Sequence, residues 1–163
     1  MVEQSHAMTA NLEQFQTEIK KRNAMTNPFR DQEKFMNACD QATPSNRNEV
    51  TDPLGIQFDL YLNLIKEEYH ELLEAQGLDT NHNRVKDADP VETLDALIDI
   101  LVVTIGAIHS MGADAEGAWK EVMRTNFAKI DRETGKVRKR EDGKVLKPQG
   151  WTPPNLTQFI KGE

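Results

Sequence analysis

The chain has a single cysteine, Cys39, so no disulfide can close within it and no cluster of thiolates can hold a metal. Any metal must sit on oxygen or imidazole. Long apolar runs are missing too: the longest uncharged one, residues 100–108, falls well short of the roughly 20 residues that a spanning helix needs. The opening MVEQSHAMTANLEQF has no apolar stretch of signal-peptide length, and a cytoplasmic protein with no membrane partner is expected. Basic excess is absent as well. Lys and Arg number 20 against 27 Asp and Glu, a net charge of −7, which argues against general binding to nucleic acid while leaving room for a local basic surface. There is no internal repeat and no low-complexity tract. What the 163 residues do offer is one domain of ordinary size with a real core.

The dominant hydrophobic period is helical. Leu12, Phe15 and Ile19 mark a first amphipathic helix ending before Pro28, and Phe35, Met36 and Cys39 mark a short second one that stops near Pro44. A polar loop follows over residues 41–51. In DPLGIQFDLYLNLIKEEYHELLEAQG, Asp52 can cap, Pro53 suits the first helical position and Gly77 suits the stop; DPVETLDALIDILVVTIGAIHSMG repeats that punctuation with Asp89, Pro90 and Gly112. A further helix should start at Asp114 and run to about Ile130. The expected fold is therefore all-α. No sheet can be built from the remainder, although Asp142-Gly143 could close one small hairpin.

Residues 131–163 differ in character and read as an arm of the same domain that residues 1–130 form. Between positions 132 and 147 there are seven basic and three acidic residues, in a chain otherwise strongly acidic. KPQGWTPPN follows, with three prolines and Trp151, a composition that makes a rigid extended arm. Such an arm can lie over its own or a neighbouring subunit, with Lys147 and Trp151 contributing to a phosphate or base pocket.

The chemistry lies in the acids. On a helix Glu68 with Glu71, and Glu67 with Glu71 and Glu74, share one strip, and Glu92, Asp95 and Asp99 share another. Asp99 interrupts DALIDILVVTIGAI, where the helix should be largely buried. Like charges about 4 Å apart repel by roughly 1 kcal/mol in water and about 4 at an effective dielectric near 20, more than Lys66 alone can offset. Such a cluster needs a cation. Hard oxygen ligands without cysteine suit Mg²⁺ or Mn²⁺, and Mg²⁺ held by a few carboxylates completes its shell with water and substrate phosphate.

Glu68 and Glu71, then Glu92 and Asp95, resemble the ExxE and ExxD pairs of the MazG and phosphoribosyl-ATP pyrophosphohydrolase superfamily of all-α nucleoside triphosphate pyrophosphohydrolases. FMNACDQ, TNFAKI and VLKPQGWTPPN are similar to compact, often phage-borne members, so the resemblance covers most of the chain from Phe35 onward. It implies a helical bundle completed by oligomerisation, as a homodimer or homotetramer, and Mg²⁺-dependent cleavage of a nucleoside triphosphate to the monophosphate and pyrophosphate. In one respect the sequence departs from the pattern. The aspartate before an aliphatic pair fits Asp99-Ile100-Leu101 better than Asp95-Ala96-Leu97, and three residues before Asp99 stands Ala96, not glutamate. Asp95 and Asp99 therefore rank above Glu92, and the ligand set stays open among Glu67, Glu68, Glu71, Glu92, Asp95 and Asp99. Glu68 or Glu67 is the candidate for orienting the attacking water. Asn126 and Lys129 match an Asn-x-x-Lys pair of the family pattern and can reach phosphate oxygens. Phe35, Met36 and Gln41 are candidates for the base, with Phe35 and Met36 equally readable as core. His70 reads as structural, and His6, His82 and His109 carry no functional reading. A purine deoxynucleotide, dGTP or dATP, is the first substrate expected, ahead of dUTP or dCTP. A phosphoribosyl-ATP hydrolase and a non-catalytic acidic helical interaction protein are the alternatives.

Overall fold

A computed structural model describes residues 27–46 and 55–160; the expected first helix around Leu12, Phe15 and Ile19, and the cap and proline at Asp52 and Pro53, lie outside them. Four α-helices follow one another: α1 (Pro28–Ala38), α2 (Ile56–Ala75), α3 (Pro90–Ser110) and α4 (Ala115–Phe127). Among the described residues no strand longer than an isolated bridge occurs, so the chain is all-α as its periodicity implies.

Several helix ends obey the punctuation of the sequence, but α2 begins at Ile56 after Gly55, with no side-chain cap, three residues later than the expected first position Pro53. Asp89 Oδ1 accepts from the amides of Val91 (2.8 Å) and Glu92 (3.2 Å), with Pro90 at the first helical position of α3. Asp114 caps α4 by accepting from Gly117 N at 2.9 Å. Pro28 opens α1 at its first helical position, with Asn27 Oδ1 capping it by accepting from Phe29 N and Arg30 N. Both long helices stop at glycines in the left-handed region, Gly77 at φ +68 and Gly112 at φ +69. At the first of these, Gly77 N bonds Glu74 O and Leu78 N bonds Leu73 O, the paired closure that only a residue tolerant of positive φ allows without strain. Helix α4 ends at Phe127, one turn earlier than expected.

Helices α2 and α3 form an antiparallel hairpin that is the centre of the molecule. Its loop end is tied by Asp89 N to Ala75 O (2.7 Å) and by Gln76 Nε2 to Thr93 Oγ1 (2.8 Å). Its other end packs Tyr61 against Gly106, Val103 and Ala107, with Met36 of α1 fully buried above them and Phe58, Leu64 and Ile65 around. The Tyr61 hydroxyl donates to Gln41 Oε1 at 2.8 Å, so the buried phenol is satisfied. Phe35, a candidate for this core, is 64 % exposed, because Met36 occupies the inward position of α1. Helix α1 also reaches α4: Asn27 and Arg30 both bind Glu116, Phe29 lies 6.1 Å from Trp119, and buried His109 Nε2 donates to Phe29 O at 2.8 Å.

The basic segment turns back on itself through the Asp142-Gly143 turn, with a bridge between Lys139 and Val145. Beyond it the chain runs along α4. Trp151 Nε1 donates to Thr125 O at 2.8 Å, and Asp114 N donates to Phe159 O at 2.8 Å. Asn155 N donates to Glu121 Oε1 at 3.1 Å, and Arg124 grips the same carboxylate through both oxygens.

Two outcomes follow from this packing. A Cβ at position 106 would overlap the Tyr61 ring, so Gly106→Ala should lower stability by about 1–3 kcal/mol; an unchanged Tm in thermal denaturation would show that the ring can step aside. The Arg124 guanidinium, helped by the Asn155 amide, holds Glu121 from its ordinary 4.5 down to about 2. That carboxylate stabilises the docked tail in full above pH 4.5, and the contribution is lost as the pH falls toward 2. In a Trp119→Phe background, Trp151 emission should shift to the red across that window while helical circular dichroism holds, and Glu121→Gln should show the shifted emission already at neutral pH. Constant emission across the window would contradict the docking.

Candidate active site

The hairpin brings the two acidic strips together. Glu68 is the carboxylate of α2 that turns toward α3: it is half-buried while Glu67, Glu71 and Glu74 are exposed. Its Oε2 is fully buried and has no hydrogen-bond partner among the described residues. Burial first, then the charges of Glu71, Asp99, Glu67 and Asp95 in that order, push the Glu68 carboxyl above the usual carboxylate range. Those four acids, drawn from both helices, are therefore close enough to act on it, and Glu92 is not among them. Glu92 is exposed in the first turn of α3 and lines a separate hollow of about 300 Å³ with Glu71, Glu74, Lys86 and Asp89.

Asp99 is half-buried rather than deeply buried, and Asp95 is exposed. The apolar neighbours expected to enclose them are largely open: Leu94 is 62 % exposed, and Leu97, Ile98 and Leu101 are about half exposed. Among the described residues α2 packs on α3 most extensively and α1 and α4 add smaller contacts, and none of them covers these positions.

A metal fits this arrangement chemically, through an all-oxygen donor set and an orphaned buried carboxylate oxygen. No three Asp, Glu, His or Cys side chains among the described residues already meet at one point, so the acids flank a gap rather than close on it. Mg²⁺ does not require closure by protein alone, since it keeps several ligands as water or substrate phosphate.

The other expected residues form a second group. Lys129 Nζ donates to Asn126 Oδ1 at 2.9 Å and lies 5.2 Å from the Trp151 ring centre, which Lys147 Nζ approaches to 4.4 Å. Asn126, Lys129, Lys147 and Trp151 thus assemble at the C-terminal end of α4. That helix packs on α3 and makes no comparable contact with α2, which carries the EExxE run, and among the described residues neither Lys129 nor Lys147 forms an ion pair with the acids. Gln41 and Phe35 stand at the opposite end, with the Gln41 side-chain oxygen taken by Tyr61.

Beside the α2 strip the structure holds a cleft of about 760 Å³, between α2 and the loop leading to α3. Glu67 and Glu71 form one wall, and Thr80, Val85 and Lys86 of the loop form another. The polar residues of this loop have no period in the sequence, and the two basic residues between the acidic strips, Arg84 and Lys86, are the signal it carries. His70, read as structural, is exposed and lines the same cleft.

No helix among the described residues is long and apolar enough to cross a membrane. Against curated proteins the chain gives no match. A family model described as phosphoribosyl-ATP pyrophosphohydrolase matches residues 30–126, which spans α1, α2 and α3 with both acidic strips and nearly all of α4. That is more than half of the chain, and with the all-α fold and the facing acidic strips it shows that the chain belongs to the phosphoribosyl-ATP pyrophosphohydrolase family, within the MazG-like all-α pyrophosphohydrolases that hydrolyse phosphoanhydride bonds of nucleotides.

Proposed function

We propose that the chain is a Mg²⁺-dependent pyrophosphohydrolase that cleaves a (deoxy)nucleoside triphosphate, with dGTP or dATP preferred, to the monophosphate and pyrophosphate. The observation that carries the reading is Glu68: a carboxylate with an orphaned buried oxygen, ringed by four further acids from two helices, has a use in binding cations and none in a plain interaction surface. The non-catalytic alternative loses its ground with the family match.

Glu68, Glu71, Asp95 and Asp99 would hold Mg²⁺ or Mn²⁺, with Glu67 at the edge and Glu92 held back by its exposure on the outer side of the helix start. When bound, the metal neutralises charge developing on the phosphates and acidifies water. Glu68 or Glu67, whichever is not a direct ligand, orients the attacking water and takes its proton. The water oxygen bonds to one of the two phosphorus atoms flanking the α–β bridge, the bridging P–O bond breaks, and pyrophosphate leaves. Asn126 and Lys129, with Lys147 beside Trp151, supply donors for phosphate oxygens.

Because those donors form no ion pair with the acids among the described residues, and because α3 exposes Leu94, Leu97, Ile98 and Leu101, the working unit in this reading is a homodimer or homotetramer in which the exposed apolar face of α3 meets another copy. The family description favours a second reading, phosphoribosyl-ATP as the substrate, since it presents the same α–β bridge beside an adenosine.

Pyrophosphate release from a panel of nucleoside triphosphates and phosphoribosyl-ATP, with and without Mg²⁺ or Mn²⁺, tests the reading directly; no release from any of them would sink it. Glu71→Gln, Asp95→Asn and Asp99→Asn should each reduce turnover on the order of 100-fold or more with the fold intact, while Glu92→Gln should keep measurable activity. A dead Glu92→Gln beside an active Asp99→Asn would restore the simple ExxD register. Glu68→Gln should also raise the metal-free Tm at neutral pH: an acid pushed up on folding costs stability as pH rises through its folded value, and the neutral amide escapes that cost. Leu97→Asp with Leu101→Asp should dissociate the assembly in sedimentation velocity; a wild-type chain that sediments as a monomer at micromolar concentration would refute the oligomer.

A further inference from the structure

We propose that the cleft between α2 and the loop of residues 78–86 binds the nucleoside end of the substrate, its carboxylates accepting from the N–H groups of the base. This deepens the pyrophosphohydrolase reading above and rests on it. The cleft is about 760 Å³, within the roughly 300–1,000 Å³ of small-molecule sites. It also shares Glu67 and Glu71 with the acidic strip, so a substrate whose phosphates lie among Glu68, Glu71, Asp95 and Asp99 has its remaining part directed along α2 into it.

The lining decides which part of a nucleotide belongs there. Leu73, Leu78 and Val85 supply an apolar floor suited to a flat heterocycle. Glu67, Glu71 and Glu74 make the wall negative, and Lys86 is the one lysine or arginine that lines it. Bare phosphate is repelled by such a wall, whereas the N–H groups of a neutral base are not, because a carboxylate can only accept. Glu74 and His70, one turn apart on the rim, are placed to read the edge of that base. Lys86 lines both this cleft and the hollow beside Glu92, and forms no ion pair with any of the surrounding acids among the described residues, which leaves it open to a sugar hydroxyl or the first phosphate oxygen.

The loop wall is preformed. Asp79 Oδ1 accepts from the amides of Asn81 and Asn83, both at 2.9 Å, and its carboxylate also takes the Asn83 side chain. Leu78 bridges to Arg84, Val85 N donates to Gly77 O at 2.8 Å, and Arg84 Nη1 donates to Gln76 O at 3.1 Å. A side chain at Gly77 would overlap the backbone of Lys86, so the wall stands as close to the end of α2 as a chain can come. Little ordering remains to be done when a ligand enters.

The test uses the full chain with Mg²⁺. Amide chemical shifts are followed while dGMP or dAMP is titrated, and isothermal calorimetry measures both monophosphates and inorganic tripolyphosphate on wild type and on Val85→Trp. Val85 is 66 % exposed, so the new side chain blocks the cleft without entering the core. Expected are shifts at His70, Leu78, Thr80 and Val85, and a loss of at least about 10-fold in monophosphate affinity with tripolyphosphate binding unchanged. Shifts confined to Phe35 and Gln41, an unaltered monophosphate affinity in Val85→Trp, equal loss of monophosphate and tripolyphosphate, or no monophosphate binding to wild type would each overturn the proposal. None of these readings needs turnover, so they stand apart from the failure of the catalytic reading, which is the absence of pyrophosphate release from every triphosphate offered.

Discussion

Like-charge crowding between α2 and α3 is the constraint around which the molecule is organised. The same antiparallel packing that buries Tyr61 against Gly106 at one end of the hairpin forces Glu68 toward Asp95 and Asp99 nearer the other. Hydrophobic burial of Tyr61, Val103 and Ala107, with Met36 laid over them, offsets a repulsion that the acids cannot relieve among themselves. A cation bound only by the folded chain would relieve that cost, which is what the proposed function requires of it.

The two ends of the hairpin therefore have separate duties. The end near Gly106 is held by side-chain packing with α1 and by the satisfied Tyr61 phenol. The loop end is held by backbone: the Asp89 to Ala75 bond, the left-handed Gly77 and the Asp79 turn leave the acidic helix faces free of structural duty. Glu67, Glu71 and Glu74 can remain unpaired because nothing in the fold needs them as partners. The basic group at the end of α4 is arranged oppositely, with Lys129 and Lys147 held on the Trp151 ring, a geometry that keeps cations extended without neutralising them. The acids of the hairpin and the cations at the end of α4 form no ion pair with one another among the described residues.

Helix α3 shows how much of this was legible in the sequence. Its start, its stop and its strip of acids could be read from Asp89, Pro90, Gly112 and the three- and four-residue spacing, because capping and periodicity are local. Its burial could not. The apolar run around Asp99 suggested a core helix, yet Leu94, Leu97, Ile98 and Leu101 stand open, since periodicity records that a face is apolar and not which chain covers it. Pro28 in the sequence marks only a boundary, and the Asn27 cap shows that a helix begins there.

The sequence by itself determined the helical class, both ends of α3 and the stop of α2, the absence of a thiolate site and the pairing of acids on each helix, all of which follow from residue type and from spacings of a few positions. Tertiary structure alone decided that Glu68 is the acid turned inward, that Glu92 stands outside its circle, and that a preformed cleft opens beside Glu67 and Glu71. Those facts depend on the rotation of α2 against α3 and on the path of the loop between them. Both are set by contacts between residues far apart in the chain, which no local pattern encodes.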